Sequence, residues 1–319
     1  MSRVVVTGRV PEAAIEKLRA EHEVDAWQSP ESIGREELLR RVAGADAVVS
    51  LLTERIDSEL LDAAGPQLKV VANVAVGYDN IDVPACTERG IVATNTPGVL
   101  TDATADIALG LILMATRRLG EGERLIRSGQ PWKWGMFFLL GSSLHGKTLG
   151  IVGMGAIGQA TALRAKAFGM EIIYQSRSEI DPGIAAELGA RRVDLDELLT
   201  VSDIVSLHCP YGPATHHLIG AEQLAAMKDS AYLINTARGP IIDEAALASA
   251  LREGQITGAG LDVFENEPRV HPGLLELENV VLVPHLGSAT IETRTAMAML
   301  AADNTLAVLS DERPPSPIN

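Results

Sequence analysis

Along almost the whole chain, short β-branched runs alternate with segments whose apolar residues recur at helical spacing. "RVVVTG" is followed by a helical pattern from Pro11 to about Ala20. "ADAVVSLL" follows the helical "GREELLRRVA", "LKVVANV" follows "DSELLDAAG", and "IVATNT" closes this first block near Thr96. Such alternation predicts a parallel sheet covered by helices. A long helix then begins in "TPGVLTDATADIALGLILMATRRL", with Pro97 and Gly98 before it and Thr101 as its expected cap. Its apolar residues lie on most sides, which predicts burial between domains or in a subunit interface. Six further strand candidates follow: "TLGIVG", "EIIYQS", "DIVSLHCP", "AYLINTA", "GAGLDVF" and "VVLVPH". They make a second sheet between Thr148 and His285. Another long helix, "SATIETRTAMAMLAADNTLAVLS", leads away from it, and the Pro-rich "ERPPSPIN" is expected to be a loose terminus.

The second block opens on "GIVGMGAIGQATALRAKAFGMEIIYQSRS", a strand, a glycine-rich turn, a helix and a second strand. Gly153, Gly155 and Gly158 satisfy G-x-G-x-x-G. The first permits a tight turn, the second lets backbone approach a pyrophosphate, and the third lets helix and strand pack closely. The helix start at Ala156 and Ile157 then offers free N–H groups and a positive dipole end to phosphates. A dinucleotide is therefore expected. A carboxylate at the end of the second strand would bind the adenosine ribose and repel a 2′-phosphate, but that position holds Gln175. With Ser176, Arg177 and Ser178 as phosphate donors, NADPH is the expected cofactor. The alternative is a solvated loop in which Arg177 contacts nothing and NADH binds.

The fold class expected is α/β with two doubly wound parallel-sheet domains. A Rossmann-type cofactor domain, residues 100–287, is inserted into a smaller flavodoxin-like substrate domain built from residues 1–99 and 288–319. The long helices would be the crossovers, and a cleft between the lobes the ligand site. Length and composition agree: 319 residues suit two domains, and 46% hydrophobic with 22% charged residues is an ordinary globular balance. A formal charge of -15 without a basic stretch argues against a nucleic-acid partner. Cys86 and Cys209 are unpaired in spacing, pointing to a reducing compartment and no structural zinc. No signal-peptide core opens the chain, and "IALGLILMA" is too short to span a bilayer, so a cytoplasmic location without membrane contact is expected.

Three residues end three consecutive strands. Arg238 follows "LINTA", Glu267 follows "GAGLDVF", and His285 ends "VVLVPH". Parallel sheets bind ligands beyond the carboxyl ends of their strands, so these residues are expected to converge at the lobe boundary. A guanidinium can hold a carboxylate or carbonyl oxygen, an imidazole can donate a proton, and a carboxylate favours the protonated imidazole and orients it. Beside a reduced nicotinamide, this is equipment for reducing a ketone. Singly, each residue has a plain structural reading: a surface salt bridge for the arginine or the glutamate, packing for the histidine.

"VGMGAIG", "NTARGPIIDEAAL", "GAGLDVFENEP" and "PHLGSAT" resemble the signatures of the D-isomer-specific 2-hydroxyacid dehydrogenases, over nearly the whole chain. The resemblance implies that Arg238, Glu267 and His285 are the catalytic group. It also implies that Asp262 contacts the nicotinamide end of the cofactor, a strand-end cap being the alternative. Within the family, "NVAVGYDNID" and "PWKWGMFFLLGSSLHGKTLGIVGMG" are similar to glyoxylate/hydroxypyruvate reductases. By that resemblance, the N–H groups of Val76 and Gly77 bind the substrate carboxylate alongside Arg238 and His285. A backbone nest suits an anion, and a structural turn is the alternative. Thr104, Cys209 and Pro210 match cofactor-contacting positions, and Thr215, Thr236, Ala237, His285 and Gly287 are counted with them. Trp132 and Trp134 belong to the active-site rim, a dimer contact or the core. Phosphite-oxidising members carry a lysine where this chain has Val76, and formate-oxidising members replace the acidic partner of the histidine. Neither departure is present here, and no regulatory domain is expected after residue 319.

The expected activity is NADP(H)-preferring reduction of a small anionic 2-ketoacid, with NAD(H) as the other cofactor and a homodimer as the assembly. A bulkier 2-ketoacid and a non-catalytic dinucleotide sensor are the competing readings. Adjacent His216 and His217 would point to opposite sides of an extended segment, so no metal site is expected. No G-x-S-x-G elbow is present.

Overall fold

A computed structural model describes residues 1–319, which divide into two compact units, Met1–Leu100 with Ala289–Asn319, and Thr101–Ser288. The first unit is built on a five-stranded parallel sheet. Its strands are β1 (Arg3–Val6), β2 (Glu23–Ala26), β3 (Ala47–Ser50), β4 (Val70–Asn73) and β5 (Val92–Thr94), in the order β2-β1-β3-β4-β5. This is the flavodoxin-type order. Strands β3 and β4 are buried along their whole length, which is why they read as continuous apolar runs. The sequence pattern missed β2, whose "EVDA" lies at the sheet edge with no residue fully buried and so shows no apolar alternation.

The last helix, Ile291–Leu309, returns to this unit and packs on the helix Glu12–Arg19 and on β3, β4 and β5. Lys17 and Asp303 form an ion pair between the two helices. The Pro-rich end is not loose. Pro317 bridges Thr94 in antiparallel fashion, Ile318 N–H donates to the Ala93 carbonyl at 2.8 Å, and Ser316 is buried. Prolines preset an extended chain, and the free edge of β5 supplies the partners that such a segment needs.

The second unit has seven strands: β6 (Thr148–Val152), β7 (Glu171–Gln175), β8 (Arg191–Arg192), β9 (Ile204–Leu207), β10 (Tyr232–Asn235), β11 (Gly258–Leu261) and β12 (Val280–Leu282). All neighbours are parallel, in the order β12-β11-β10-β9-β6-β7-β8. That is the doubly wound Rossmann order with one added edge strand, and its topological switch lies between β6 and β9. The expected six strands become seven because β8 is two exposed arginines, which carry no apolar signal.

The long helix begins at Thr101 itself and runs to Thr116, so Thr101 is its first residue rather than its cap. Its buried residues Ala105, Ala108, Leu111 and Ile112 belong to a helix packed on β10, β11, β12 and the helix Ala156–Ala167 of its own unit. That burial therefore needs no second subunit. No helix is long and apolar enough to cross a membrane, and both cysteines are free thiols.

Candidate active site

At the switch point, β6 ends in Gly153, whose φ of 96° suits glycine. A Cβ there would lie 2.4 Å from the Cys209 amide nitrogen, and one on Gly158 would lie 2.3 Å from the Gly153 carbonyl oxygen. The ends of β6 and β9 and the following helix can approach this closely only without those side chains. Gly155 differs, because a Cβ on it would meet nothing within 4 Å. Nothing within the protein requires glycine there, as expected where backbone must lie close to a ligand. Gly155 is also the N-cap of the helix Ala156–Ala167 and offers no capping side chain. The N–H groups of Ala156 and Ile157 thus remain for an anion. The turn fits a dinucleotide pyrophosphate.

At the end of β7, the Arg177 side chain makes no bond within the protein, whereas the Ser176 hydroxyl donates to the Ser178 carbonyl. Arg192 of β8 was not singled out in the sequence, yet it holds this loop. It donates to the Ser176 carbonyl at 2.9 Å, to the Arg177 carbonyl at 3.2 Å and to Glu179 at 3.3 Å. Beyond β9, the Thr215 hydroxyl fastens the turn that starts at Cys209, donating to the Pro210 carbonyl at 2.9 Å. Burial pushes the Cys209 thiol up to about 11, so it stays protonated and is a poor nucleophile.

Arg238, Glu267 and His285 all belong to the second unit. Buried Asn235 shapes the turn carrying the arginine. Its Nδ2 donates to the Arg238 carbonyl at 2.8 Å, and its Oδ1 accepts from Ala237 N–H at 3.0 Å. Thr236 beside it is buried. A Cβ on Gly239 would sit 1.8 Å from the Phe264 carbonyl carbon, so only glycine lets the arginine turn lie against the segment that carries the glutamate. Neither Asn235 nor Gly239 was identified from sequence. The Asn-x-x-Arg turn and the Arg-Gly pair were the available signals.

His285 Nδ1 lies 2.9 Å from Glu267 Oε2, while Glu267 Oε1 accepts from Phe264 N–H at 3.0 Å. Burial would raise the Glu267 pKa, but the hydrogen bond and charge of His285, the Phe264 N–H and the Arg238 charge outweigh it. The carboxyl is held below its ordinary range. His285 has a φ of 52°, uncommon for a residue with a side chain. Asp262, at 1% exposure, secures it. The Asp262 carbonyl accepts from His285 N–H at 2.8 Å, and its carboxylate accepts from Leu286 at 2.5 Å and Gly287 at 2.8 Å. Three consecutive N–H groups therefore close on one residue, and the Thr104 hydroxyl adds a bond to the Gly287 carbonyl at 3.2 Å. Burial raises the Asp262 pKa against these backbone bonds. The strand-end reading of Asp262 thus has direct geometric support.

In the first unit, Val76 and Gly77 lie in the loop after β4, between Asn73 and Asn80. Trp132 and Trp134 are not core residues: they are 49% and 77% exposed, with Trp132 stacked on Phe138. His216 and His217 do not splay apart. Their segment is a turn, His217 has a φ of 48°, and the rings stack with centroids 4.1 Å apart. His217 Nε2 lies 2.6 Å from Glu265 Oε1. The side chains present no group of three or more metal-ligating residues.

A sequence profile described as "D-isomer specific 2-hydroxyacid dehydrogenase, NAD binding domain" matches residues 109–287. The glyoxylate reductase of Thermococcus litoralis is 50% identical over 322 residues, covering 99% of this chain and 96% of that protein. Among solved structures, a glyoxylate reductase from Paecilomyes thermophila superposes with a TM-score of 0.90 at 37% identity, covering 99% of this chain and 98% of that one. The NADPH-dependent glyoxylate/hydroxypyruvate reductase of Sinorhizobium meliloti, in complex with NADP and malonate, superposes with a TM-score of 0.87 at 36% identity, covering 99% and 96%. With a glycine turn fit for a dinucleotide, an acid–imidazole pair beside an arginine, and full-length likeness of this kind, the chain belongs to the D-isomer specific 2-hydroxyacid dehydrogenase family.

Proposed function

We propose that the chain reduces small 2-ketoacids, glyoxylate to glycolate and hydroxypyruvate to D-glycerate, with NADPH preferred over NADH. The observation that carries this reading is the 2.9 Å bond between Glu267 and His285 Nδ1. It leaves Nε2 as the proton-bearing atom turned toward substrate, and the anionic Glu267 stabilises the charge on the ring before transfer. Arg238 polarises the carbonyl and holds the adjacent carboxylate. The Val76 and Gly77 N–H groups take the substrate carboxylate. When bound, the reduced nicotinamide supplies a hydride to the carbonyl carbon. His285 delivers a proton to the carbonyl oxygen, completing the alcohol, and regains one from solvent. Gly153, Gly155, Ala156, Ile157 and Gly158 would hold the pyrophosphate. Thr104, Thr236, Ala237, Asp262 and Gly287 would hold the nicotinamide end, and Cys209, Pro210 and Thr215 would contact the cofactor between them.

The NADPH preference is supported by Gln175 in place of a carboxylate and by the unbonded guanidinium of Arg177; the Ser178 hydroxyl completes the donor set. A cytoplasmic homodimer is the assembly proposed. Exposed Trp134, Met136, Phe137 and Leu140 support it, since apolar side chains gathered in one short segment suit a protein contact.

Initial rates with NADPH and NADH against glyoxylate, hydroxypyruvate, pyruvate and phenylpyruvate test the reading. NADPH is expected to give a kcat/KM at least about tenfold higher, about 1.4 kcal/mol of discrimination. Equal values would refute the cofactor assignment, and a preference for phenylpyruvate would refute the small substrate. Sedimentation as a monomer would refute the dimer.

A further inference from the structure

The loop carrying Val76 and Gly77 is tied down on one side only. The Ala75 carbonyl accepts from Thr96 N–H at 2.9 Å, the Val76 carbonyl from Asn95 Nδ2 at 2.8 Å, and the Gly77 carbonyl from Asn73 Nδ2 at 3.0 Å. A trans peptide is planar, with its C=O and N–H pointing in opposite directions. Fixing three successive carbonyls therefore fixes the N–H groups of Val76, Gly77 and Tyr78. The amides of Val76 and Gly77 have no acceptor in the protein. Unsatisfied main-chain donors at the surface of a rigid loop are suited to an anion.

The two asparagines are themselves held from behind. Asn73 is fully buried, accepts from the Ser50 hydroxyl at 3.2 Å, and shares an amide pair with Asn80 at 3.1 Å. Asn80 Nδ2 in turn donates to the carbonyls of Leu51 at 3.2 Å and Glu54 at 3.0 Å. The Asn95 main chain is clasped by the chain's end. Its carbonyl accepts from Asn304 Nδ2 at 3.2 Å and the Ser316 hydroxyl at 2.6 Å, and its N–H donates to the Ser316 carbonyl at 3.3 Å. Buried Asn304 also donates to Ser316 Oγ at 2.9 Å. The only bond of the Asn95 side chain is the one to Val76. A side-chain amide so fixed, with a single main-chain partner, has orientation of that partner as its evident task.

We propose that Asn95 is a positioning residue for the substrate carboxylate, and that the C-terminal segment around Ser316 locks Asn95 in place. Asn95 holds the Val76 carbonyl and so aims the N–H of the same peptide, that of Gly77, at the anion, while Thr96 N–H holds the Ala75 carbonyl and so aims the Val76 N–H. This rests on the reading that the Val76 and Gly77 amides receive the carboxylate.

The test uses the full chain with Asn95→Leu, close in volume without the donor, and Asn95→Asp, close in shape with an acceptor facing the Val76 carbonyl. Melting temperature and NADPH affinity report folding and the cofactor site, and Asn95→Asp carries the test where Asn95→Leu folds poorly. In both variants, the KM for glyoxylate and the Ki for oxamate are expected to rise about tenfold. The KM for NADPH stays at the wild-type value and kcat changes much less than KM, a split that general loosening would not give. Unchanged oxamate inhibition in the folded variants overturns the proposal. Amide NMR of the wild-type enzyme with NADPH and oxamate separates it from the reading beneath it. If the Val76 and Gly77 amide signals do not move, the carboxylate assignment itself falls. If they move while the variants inhibit normally, only the asparagine claim falls.

Discussion

Replacing Glu267 with glutamine removes one charge and little else. The amide oxygen can still accept from Phe264 N–H, which Glu267 Oε1 does now at 3.0 Å, so the loop should keep its shape. What is lost is the carboxylate 2.9 Å from His285 Nδ1. The two side chains are 31% and 28% exposed, which places the pair between surface and interior. For charge centres ~4 Å apart in an effective dielectric of ~20 to 80, the attraction is ~1–4 kcal/mol. A hydrogen bond to a charged group is worth ~1.5–3 kcal/mol. Taking ~2 kcal/mol, the kcat/KM for glyoxylate should fall about thirtyfold. Steady-state kinetics of both proteins measure it, with NADPH affinity as the control.

Stability supplies an independent reading of the same variant. The Glu267 carboxyl is held below its ordinary range, so its stabilisation is complete above the unfolded-state value and disappears as pH falls through the folded one. The wild type should therefore lose more melting temperature than Glu267→Gln on acidification below about pH 4.5. A loss of activity under about threefold would refute the assignment of Glu267 as partner of the acid.

Gly155→Ala should melt like the wild type, since its Cβ meets nothing within 4 Å, yet bind NADPH at least about tenfold more weakly in fluorescence titration. Gly158→Ala should instead lose about 1–3 kcal/mol in urea unfolding, because its Cβ collides with the Gly153 carbonyl oxygen. Asp262→Ala strands the N–H groups of Leu286 and Gly287; a cost of about 2 kcal/mol in unfolding and a lower kcat are expected as the His285 turn loosens. The His208 imidazole, bonded to the Ser206 hydroxyl at 2.9 Å, is pushed down to about 4 by burial. It stays neutral in the fold while the unfolded chain takes up a proton below about pH 6.5, so stability should fall between those values on acidification. His208→Asn should flatten that slope in melting curves recorded against pH.

Local pattern carried the sequence a long way. Nine of the ten strands read from sequence have at least their central residues buried in the sheets, because a buried parallel strand must be written in apolar residues whatever its neighbours are. The tenth, β12, is buried only at Val280 and was legible from its β-branched run. The glycine turn was equally legible, since its spacing is set by a tight strand–helix passage. The strand-end residues Arg238, Glu267 and His285 stood out for a related reason, each following a strand that could be read. The edge strands β2 and β8 were not legible, unlike the edges β5 and β12. "EVDA" and the Arg191–Arg192 pair are recruited by a neighbouring strand's free hydrogen bonds, and the tail at Pro317 is recruited by β5 in the same way.

What only the tertiary structure decided is the orientation of the chemistry. It put Glu267 on one ring nitrogen of His285 and closed three consecutive N–H groups on Asp262. It stacked His216 on His217, where an extended chain would have separated them, and set Asn73 and Asn95 behind Val76 and Gly77. Periodicity records which side of an element is buried. It does not record which atom of a distant turn will face a given side chain, because that depends on contacts between residues far apart in the chain, and these form only when the sheet is assembled.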